Sequence, residues 1–164
     1  MASIKSNYIY SVAYQILSII VPIFTIPYIS RIFGAKGLGI YSYTASISQY
    51  FVLFAMLGLN NYGVRTIAMV RNDKKQLNIT FSEIWFMQLG TSIVVLLLYI
   101  CFAFFCGGLY KIYFGIQFLF VASTLIDINW FFFGIERFRL TVLRNSIIKV
   151  LSLISIFVFI RSND

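Results

Sequence analysis

The 164-residue chain has no histidine, two cysteines, two prolines and only five acidic residues. Zinc sites take about four N, S or O ligands. Without histidine, and with Cys101 and Cys106 both inside one apolar run, that ligand set has no source. A five-residue helical spacing does not bring two cysteine side chains together for a disulfide, so both read as small buried hydrophobes. No metal and no cofactor is expected. Charge is scarce as well, at 11% of residues, where soluble domains carry about 25%. So few charges cannot cover a water-facing surface, whereas hydrocarbon tolerates one this poor. Chemistry is equally thin. There is no Walker sequence, Gly34-x-x-Gly37-x-Gly39 has the wrong spacing for a dinucleotide turn, and no nucleophile–base constellation is visible. The chain reads as a non-enzyme with no catalytic residues.

Hydrophobic residues make up 60% of the chain and the mean hydropathy is +0.90. Residues 6–30, 37–64 and 84–110 carry no charge, residues 112–135 carry Asp127 alone, and the last apolar run holds Arg144 and Lys149. Crossing a bilayer takes about 20 apolar residues, and the pattern predicts five helices over 8–31, 40–60, 82–106, 111–134 and 141–160. The fold class is an all-α polytopic membrane bundle. The first run is too long for a signal peptide and lacks a small-residue cleavage site, so it is expected to stay as a span. Between the spans lie a glycine turn at 34–39, a basic and partly amphipathic loop at 60–81, a break at Gly107-Gly108, and a basic connection from Glu136 to Arg144. Asn78-Ile79-Thr80 is a chance glycosylation match. The net charge of +8 comes from Lys and Arg lying mostly between apolar runs, which is the pattern of membrane orientation rather than nucleic-acid binding. With the N-terminus inside, nine basic residues fall on inner segments and four on outer ones, which places the N-terminus in the cytoplasm. Five spans ending at Asn163-Asp164 suggest the front portion of a longer protein.

A simple anchor needs only apolar residues, and these spans carry more. Tyr8, Ser11, Gln15, Ser18 and Thr25 recur at spacings of three, four or seven, so they share a helix face with Pro22. Ser42, Ser46 and Gln49 do the same in the second span; Gln88, Thr91 and Tyr99 in the third; Gln117, Thr124 and Asp127 in the fourth; and Asn145, Lys149 and Ser152 in the fifth. One stripe is most simply interhelical glue at about 0.6 kcal/mol per contact. Five stripes point to a shared polar cavity. Pro22 and Pro27 each remove a helix hydrogen bond and favour a kink, a static bend or a hinge. Asp127 and Lys149 lie roughly 10 and 12 Å deep at about 1.5 Å per residue, at costs of about 2.5–3.5 kcal/mol each if isolated. They are expected either to pair across antiparallel helices or to snorkel separately. Arg31 and Arg65 close the first two spans, where they anchor at the interface or offer planar forks to phosphate.

Four segments together carry a resemblance. They are Thr25-Ile26-Pro27-Tyr28-Ile29-Ser30-Arg31-Ile32-Phe33-Gly34, Gly37-Leu38-Gly39-Ile40-Tyr41-Ser42-Tyr43, Asn60-Asn61-Tyr62-Gly63-Val64-Arg65 and Asp127-Ile128-Asn129-Trp130-Phe131-Phe132-Phe133-Gly134-Ile135-Glu136. In this order they resemble the amino-terminal part of the Wzx-type oligosaccharide flippases, the polysaccharide branch of the multidrug/oligosaccharidyl-lipid/polysaccharide exporter superfamily. The likeness runs over essentially all 164 residues.

The resemblance implies two lobes of membrane helices around a central cavity, of which this chain supplies most of one lobe, one helix short of six. It implies export of an undecaprenyl-diphosphate-linked sugar repeat, as for O-antigen or capsule, across the bacterial inner membrane. Polysaccharide polymerase components are the further expected partners, beside the bilayer itself. A diphosphate crossing hydrocarbon needs cations, and Arg31, Arg65 and Lys149 are the candidates. Gln15 and Gln117 are cavity candidates for the sugar, Asp127 is a further cavity candidate, and Pro22 and Pro27 are the candidate hinge. An ion-coupled drug exporter of the same superfamily, whose cavity would favour acidic groups, and a non-transporting scaffold protein are the competing readings.

Overall fold

The computed structural model describes residues 4–160, the side chains of 4–11 and 138–140 excepted. The elements are α1 (Ile4–Met56), α2 (Leu59–Val70), α3 (Lys74–Phe105), α4 (Lys111–Ala122), α5 (Asn129–Gly134) and α6 (Phe138–Phe159), with 3-10 turns at Gly108–Tyr110 and Ser123–Leu125. Among the described residues every regular element is helical, as hydropathy predicted. Four stretches are long and apolar enough to cross a membrane: Val12–Val70, Lys74–Phe105, Gly108–Gly134 and Thr141–Phe159. At about 1.5 Å per residue the first is about 89 Å long, enough for two crossings of a roughly 30 Å core. It is also interrupted. Gly34 has φ 66° and ψ 178° inside α1, a conformation open to glycine and to few other residues. A second interruption follows Met56, where Leu57 and Gly58 both take positive φ, 40° and 76°.

The chain divides into two compact units. One holds residues 1–39 and 137–164, the other residues 40–136. In the first, the Ser18 hydroxyl meets the Lys149 ammonium, and the Tyr28 hydroxyl donates to the Ile160 carbonyl at 2.6 Å while its ring packs on Phe157 at 4.5 Å. Both sets of contacts advance in the same direction along the sequence, so the early part of α1 and α6 run parallel. The first and fifth of five alternating crossings would have this sense.

In the second unit, α1 beyond residue 40 runs antiparallel to α3, joined by Ser48 Oγ to Tyr99 Oη at 3.1 Å and by Thr91 Oγ1 donating to the Ala55 carbonyl at 3.0 Å. Helices α3 and α4 are antiparallel through the Tyr99 hydroxyl, which donates to the Phe114 carbonyl at 2.7 Å. Two apolar cores result. Tyr99, Phe114 and Val121 form one; Leu59, Ile67, Ile84 and Trp130 form the other. Helices α2 and α5 lie side by side because glycine lets them. A Cβ on Gly63 would sit 2.7 Å from the Trp130 ring, and one on Gly134 would sit 2.6 Å from Ile67 Cβ. Small residues at such crossings are how membrane helices gain packing without a hydrophobic drive between them.

Several boundaries differ from the sequence reading. The loop expected over 60–81 is mostly helix. Leu59, Gly63 and Ile67 bury one face of α2, and Asp73 starts α3 early by accepting from the Lys75 and Gln76 backbone N–H groups at 2.8 and 3.2 Å. Such caps satisfy donors that the first turn leaves orphaned. The fourth span, expected unbroken over 111–134, opens at residues 126–128. Cys101 and Cys106 are exposed rather than buried, because the outward face of a span is as apolar as its inside and does not force burial.

Candidate functional site

Two polar constellations lie within apolar helices. The first is built on the break in the fourth span. When the Ser123–Leu125 turn ends and the chain runs non-helically to Asn129, backbone carbonyls lose their helical donors. In a bilayer each unsatisfied group costs several kcal/mol. Gln88, fully buried on α3, supplies the donors. Its Nε2 donates to the Thr124 carbonyl at 2.7 Å and to the Asp127 carbonyl at 2.9 Å, and its Oε1 accepts from Trp130 Nε1 at 2.8 Å. Thr124 turns its own hydroxyl onto the Val121 carbonyl at 2.8 Å. Asp127 Oδ1 accepts from the Asn129 backbone N–H at 3.0 Å, so the carboxylate shapes the entry to α5. Below this hub, Arg71 and Glu136 form an ion pair, with Glu136 at the left-handed φ of 57°.

The second constellation is in the other unit. Lys149 stands eleven residues from the start of α6 and ten from its end, which is mid-span. Its ammonium donates to Ser18 Oγ and lies 4.8 Å from the centre of the Tyr14 ring. The Ser18 hydroxyl in turn donates to the Tyr14 carbonyl at 2.7 Å. Pro22 has no N–H, so the Ser18 carbonyl lacks its usual donor four residues on. Tyr14, Ser18, Lys149 and that carbonyl make a polar patch between parallel helices. Lys149 is half-buried. Residues 1–39 and 137–163 contain no acidic residue, so within its unit Asp164 is the one carboxylate side chain in the sequence.

The six residues singled out from sequence fall in both units: Gln15, Arg31 and Lys149 in the first, Arg65, Gln117 and Asp127 in the second. Gln15 and Arg31 are exposed on α1, Arg65 is exposed on α2, Gln117 is half-buried on α4, and Asp127 is half-buried in the break. Within either unit, among the described residues, no hydrogen bond or ion pair joins two of them. Asp127 and Lys149 each have the partners given above inside their own units. Helix α1 runs through Pro22 and Pro27, both exposed, and the non-helical backbone within it is at Gly34.

The polar stripes differ in burial. In the third span Gln88 and Tyr99 are buried and hydrogen-bonded into the core. In the second, Ser42, Ser46 and Gln49 are exposed, while Thr44 and Ser48 are buried. Tyr8 and Ser11 lie outside the described side chains. Sequence reasoning missed the Gln88–Trp130 bond and the Ser18–Tyr14 cradle for Lys149. The signal for the second was present, since a lysine in one apolar helix calls for a hydroxyl or ring in another.

The family described as polysaccharide biosynthesis protein matches residues 4–163. A protein of Escherichia coli (strain K12) named "Putative O-antigen transporter" is 26% identical over 166 residues, an alignment covering 99% of this chain and 40% of that protein. The chain thus spans about 40% of the length of that relative. No solved structure matches the chain. With apolar helices able to cross the membrane several times and a match running from residue 4 to residue 163, the chain belongs to the polysaccharide biosynthesis protein family.

Proposed function

We propose that the chain is part of a flippase carrying undecaprenyl-diphosphate-linked oligosaccharide units across the bacterial inner membrane for polysaccharide synthesis. In this reading the N-terminus is cytoplasmic and five crossings form most of one lobe, facing a second lobe across the transport cavity. The observation that carries the proposal is Lys149, a mid-span ammonium held by Ser18 and Tyr14 with no counter-ion among the described residues of its unit. A protein that only anchors has no reason to bear the roughly 2.5–3.5 kcal/mol that such a charge costs at a helix centre. A diphosphate lowers that cost, and the ammonium lowers the cost of moving the diphosphate. Arg31, exposed shortly before the Gly34 interruption, and Arg65, exposed on α2, would meet the head group as it enters or leaves, and Gln15, Gln117 and Asp127 would meet sugar hydroxyls.

The Escherichia coli relative named as an O-antigen transporter supports the substrate class. Asp127 supports a second reading, an ion-coupled drug exporter, because a half-buried carboxylate is what a cationic drug would seek. One experiment separates them. The full chain is placed in nanodiscs and titrated with a fluorescent undecaprenyl-diphosphate disaccharide and, separately, with a lipophilic cation. Lys149→Met is expected to weaken lipid-linked sugar binding roughly tenfold to a hundredfold, the worth of one hydrogen bond to a charged group. Lys149→Arg is expected to keep most of it. Binding that ignores Lys149→Met would defeat the flippase reading, and cation binding lost in Asp127→Asn would install the exporter in its place.

A further inference from the structure

We infer that the second unit carries a binding groove for one anionic phospholipid, at the end where α3 passes into α4. The groove has a volume of about 290 Å3, and its walls include Tyr99, Ala103, Phe104, Gly115 and Phe118, with Lys111 at its mouth. It is apolar for a structural reason. The one hydroxyl among those walls, that of Tyr99, is already bound to Ser48 and to the Phe114 carbonyl. The room comes from Gly115, where a Cβ would meet nothing within 4 Å. Small ligand pockets begin near 300 Å3, so the groove suits a stretch of acyl chain rather than a whole amphiphile. Phe104 in its wall and Ile116, next to Gly115 in sequence, are both exposed.

The mouth has the opposite character. Gly107 makes the turn so tight that its missing Cβ would lie 2.3 Å from the Ala103 carbonyl oxygen and 3.0 Å from Lys111 Cγ. The lysine stem is therefore packed on the turn. Its ammonium sits 5.2 Å from the centre of the Phe104 ring, at the head of the groove. No acidic residue lies in the first turn of α4 to neutralise it. Tyr110, the residue before Lys111, has its ring centre 5.9 Å from that of Tyr43 and 6.4 Å from that of Tyr113. Tyrosines gather in this way where hydrocarbon meets head groups. A tail-shaped groove ending in an unneutralised cation at head-group depth fits a lipid whose phosphate carries a net negative charge. A zwitterionic lipid brings its own ammonium to the same place and gains less.

The test uses the full chain in phosphatidylcholine nanodiscs containing a small fraction of phosphatidylglycerol with a diazirine near the tail end, or phosphatidylcholine with the same tail. Labelling by the phosphatidylglycerol probe is expected to map to residues 99–118 and to exceed that of the phosphatidylcholine probe. Lys111→Gln should lower it about fivefold, the factor for one basic residue facing an anionic lipid surface. Gly115→Leu should fill the groove and remove labelling by both probes; if that variant does not fold, the Lys111→Gln arm decides alone. Equal labelling by the two probes, or labelling unchanged in Lys111→Gln, overturns the site. Displacement of the label by an equal concentration of undecaprenyl phosphate would also overturn it, by assigning the groove to the lipid of the proposed substrate.

Discussion

Gln88 and Lys149 are both polar side chains near the middle of apolar helices, and they differ in what remains once the fold has used them. Gln88 places both amide hydrogens on backbone carbonyls and its oxygen on an indole N–H. Nothing is left for a ligand, and the side chain is fully buried. Lys149 places one donor on Ser18 and its charge over a ring. Among the described residues of its unit there is no carboxylate side chain to cancel the charge. The same contrast holds for the units that contain them. Residues 40–136 carry five basic and four acidic residues, a balance of +1, whereas 1–39 with 137–164 carry eight basic and one acidic, a balance of +7. Intramembrane polarity can therefore serve two ends in one chain. In one unit it repairs a broken helix; in the other it stores an unsatisfied positive charge.

The most forceful way to break this comparison is Gln88→Leu. The change strands two carbonyls and the Trp130 N–H where no water reaches, at roughly 1–3 kcal/mol for each group. The expected result is loss of monodisperse protein in size-exclusion chromatography, or a large fall in thermal stability if any folded material survives. Should the Gln88→Leu chain melt like the parent, Gln88 would not be the repair it is taken to be here. Next in size are Gly63→Ala and Gly134→Ala. Each new methyl would sit well inside van der Waals contact with Trp130 or Ile67, and overpacking of this kind costs about 1–3 kcal/mol. A clear drop in melting temperature is expected for both, whereas Gly90→Ala, which meets nothing within 4 Å, should leave it unchanged or raise it slightly.

Hydropathy made the spans legible because transfer into hydrocarbon is a sum over side chains, and a sum survives ignorance of geometry. It did not reveal the break at 126–128, since Ile126 and Ile128 are as apolar as their neighbours. What allows the break is Gln88, 39 residues before Asp127 in the chain, and single-sequence reading has no means of pairing the two. The helix over 59–70 was obscured for a related reason. Asn60, Asn61 and Arg65 read as loop, while the face that fixes the helix consists of Leu59, Gly63 and Ile67, one of them a glycine whose value lies only in what approaches it. Lys149 was legible as an intramembrane charge. Its cradle was not, because Ser18 looked like a member of a stripe rather than the partner of a residue 131 positions away, and Tyr14 belonged to no stripe.

Two smaller effects sharpen the contrast. Lys149→Met, expected above to weaken substrate binding, should leave the melting temperature unchanged or raise it. The removed charge costs about 2.5–3.5 kcal/mol at a helix centre, and what it loses is one hydrogen bond and a ring contact of about 0.5–2 kcal/mol. Destabilisation comparable to that of Gln88→Leu would show that Lys149 is a structural group after all, and the division between the units would collapse. The smallest effect is expected at Ser92. Its hydroxyl is buried in α3 with no hydrogen-bond partner among the described residues, in the same helix that commits Gln88 and Tyr99 so fully. A buried hydroxyl left unpaired costs about 1–3 kcal/mol, and alanine removes it without opening a large cavity. Ser92→Ala should therefore be neutral or stabilise the chain by up to a few degrees, read by the same melting assay. If alanine destabilises there, the hydroxyl has a partner within the membrane, and the second unit would also hold polarity that its own fold does not consume.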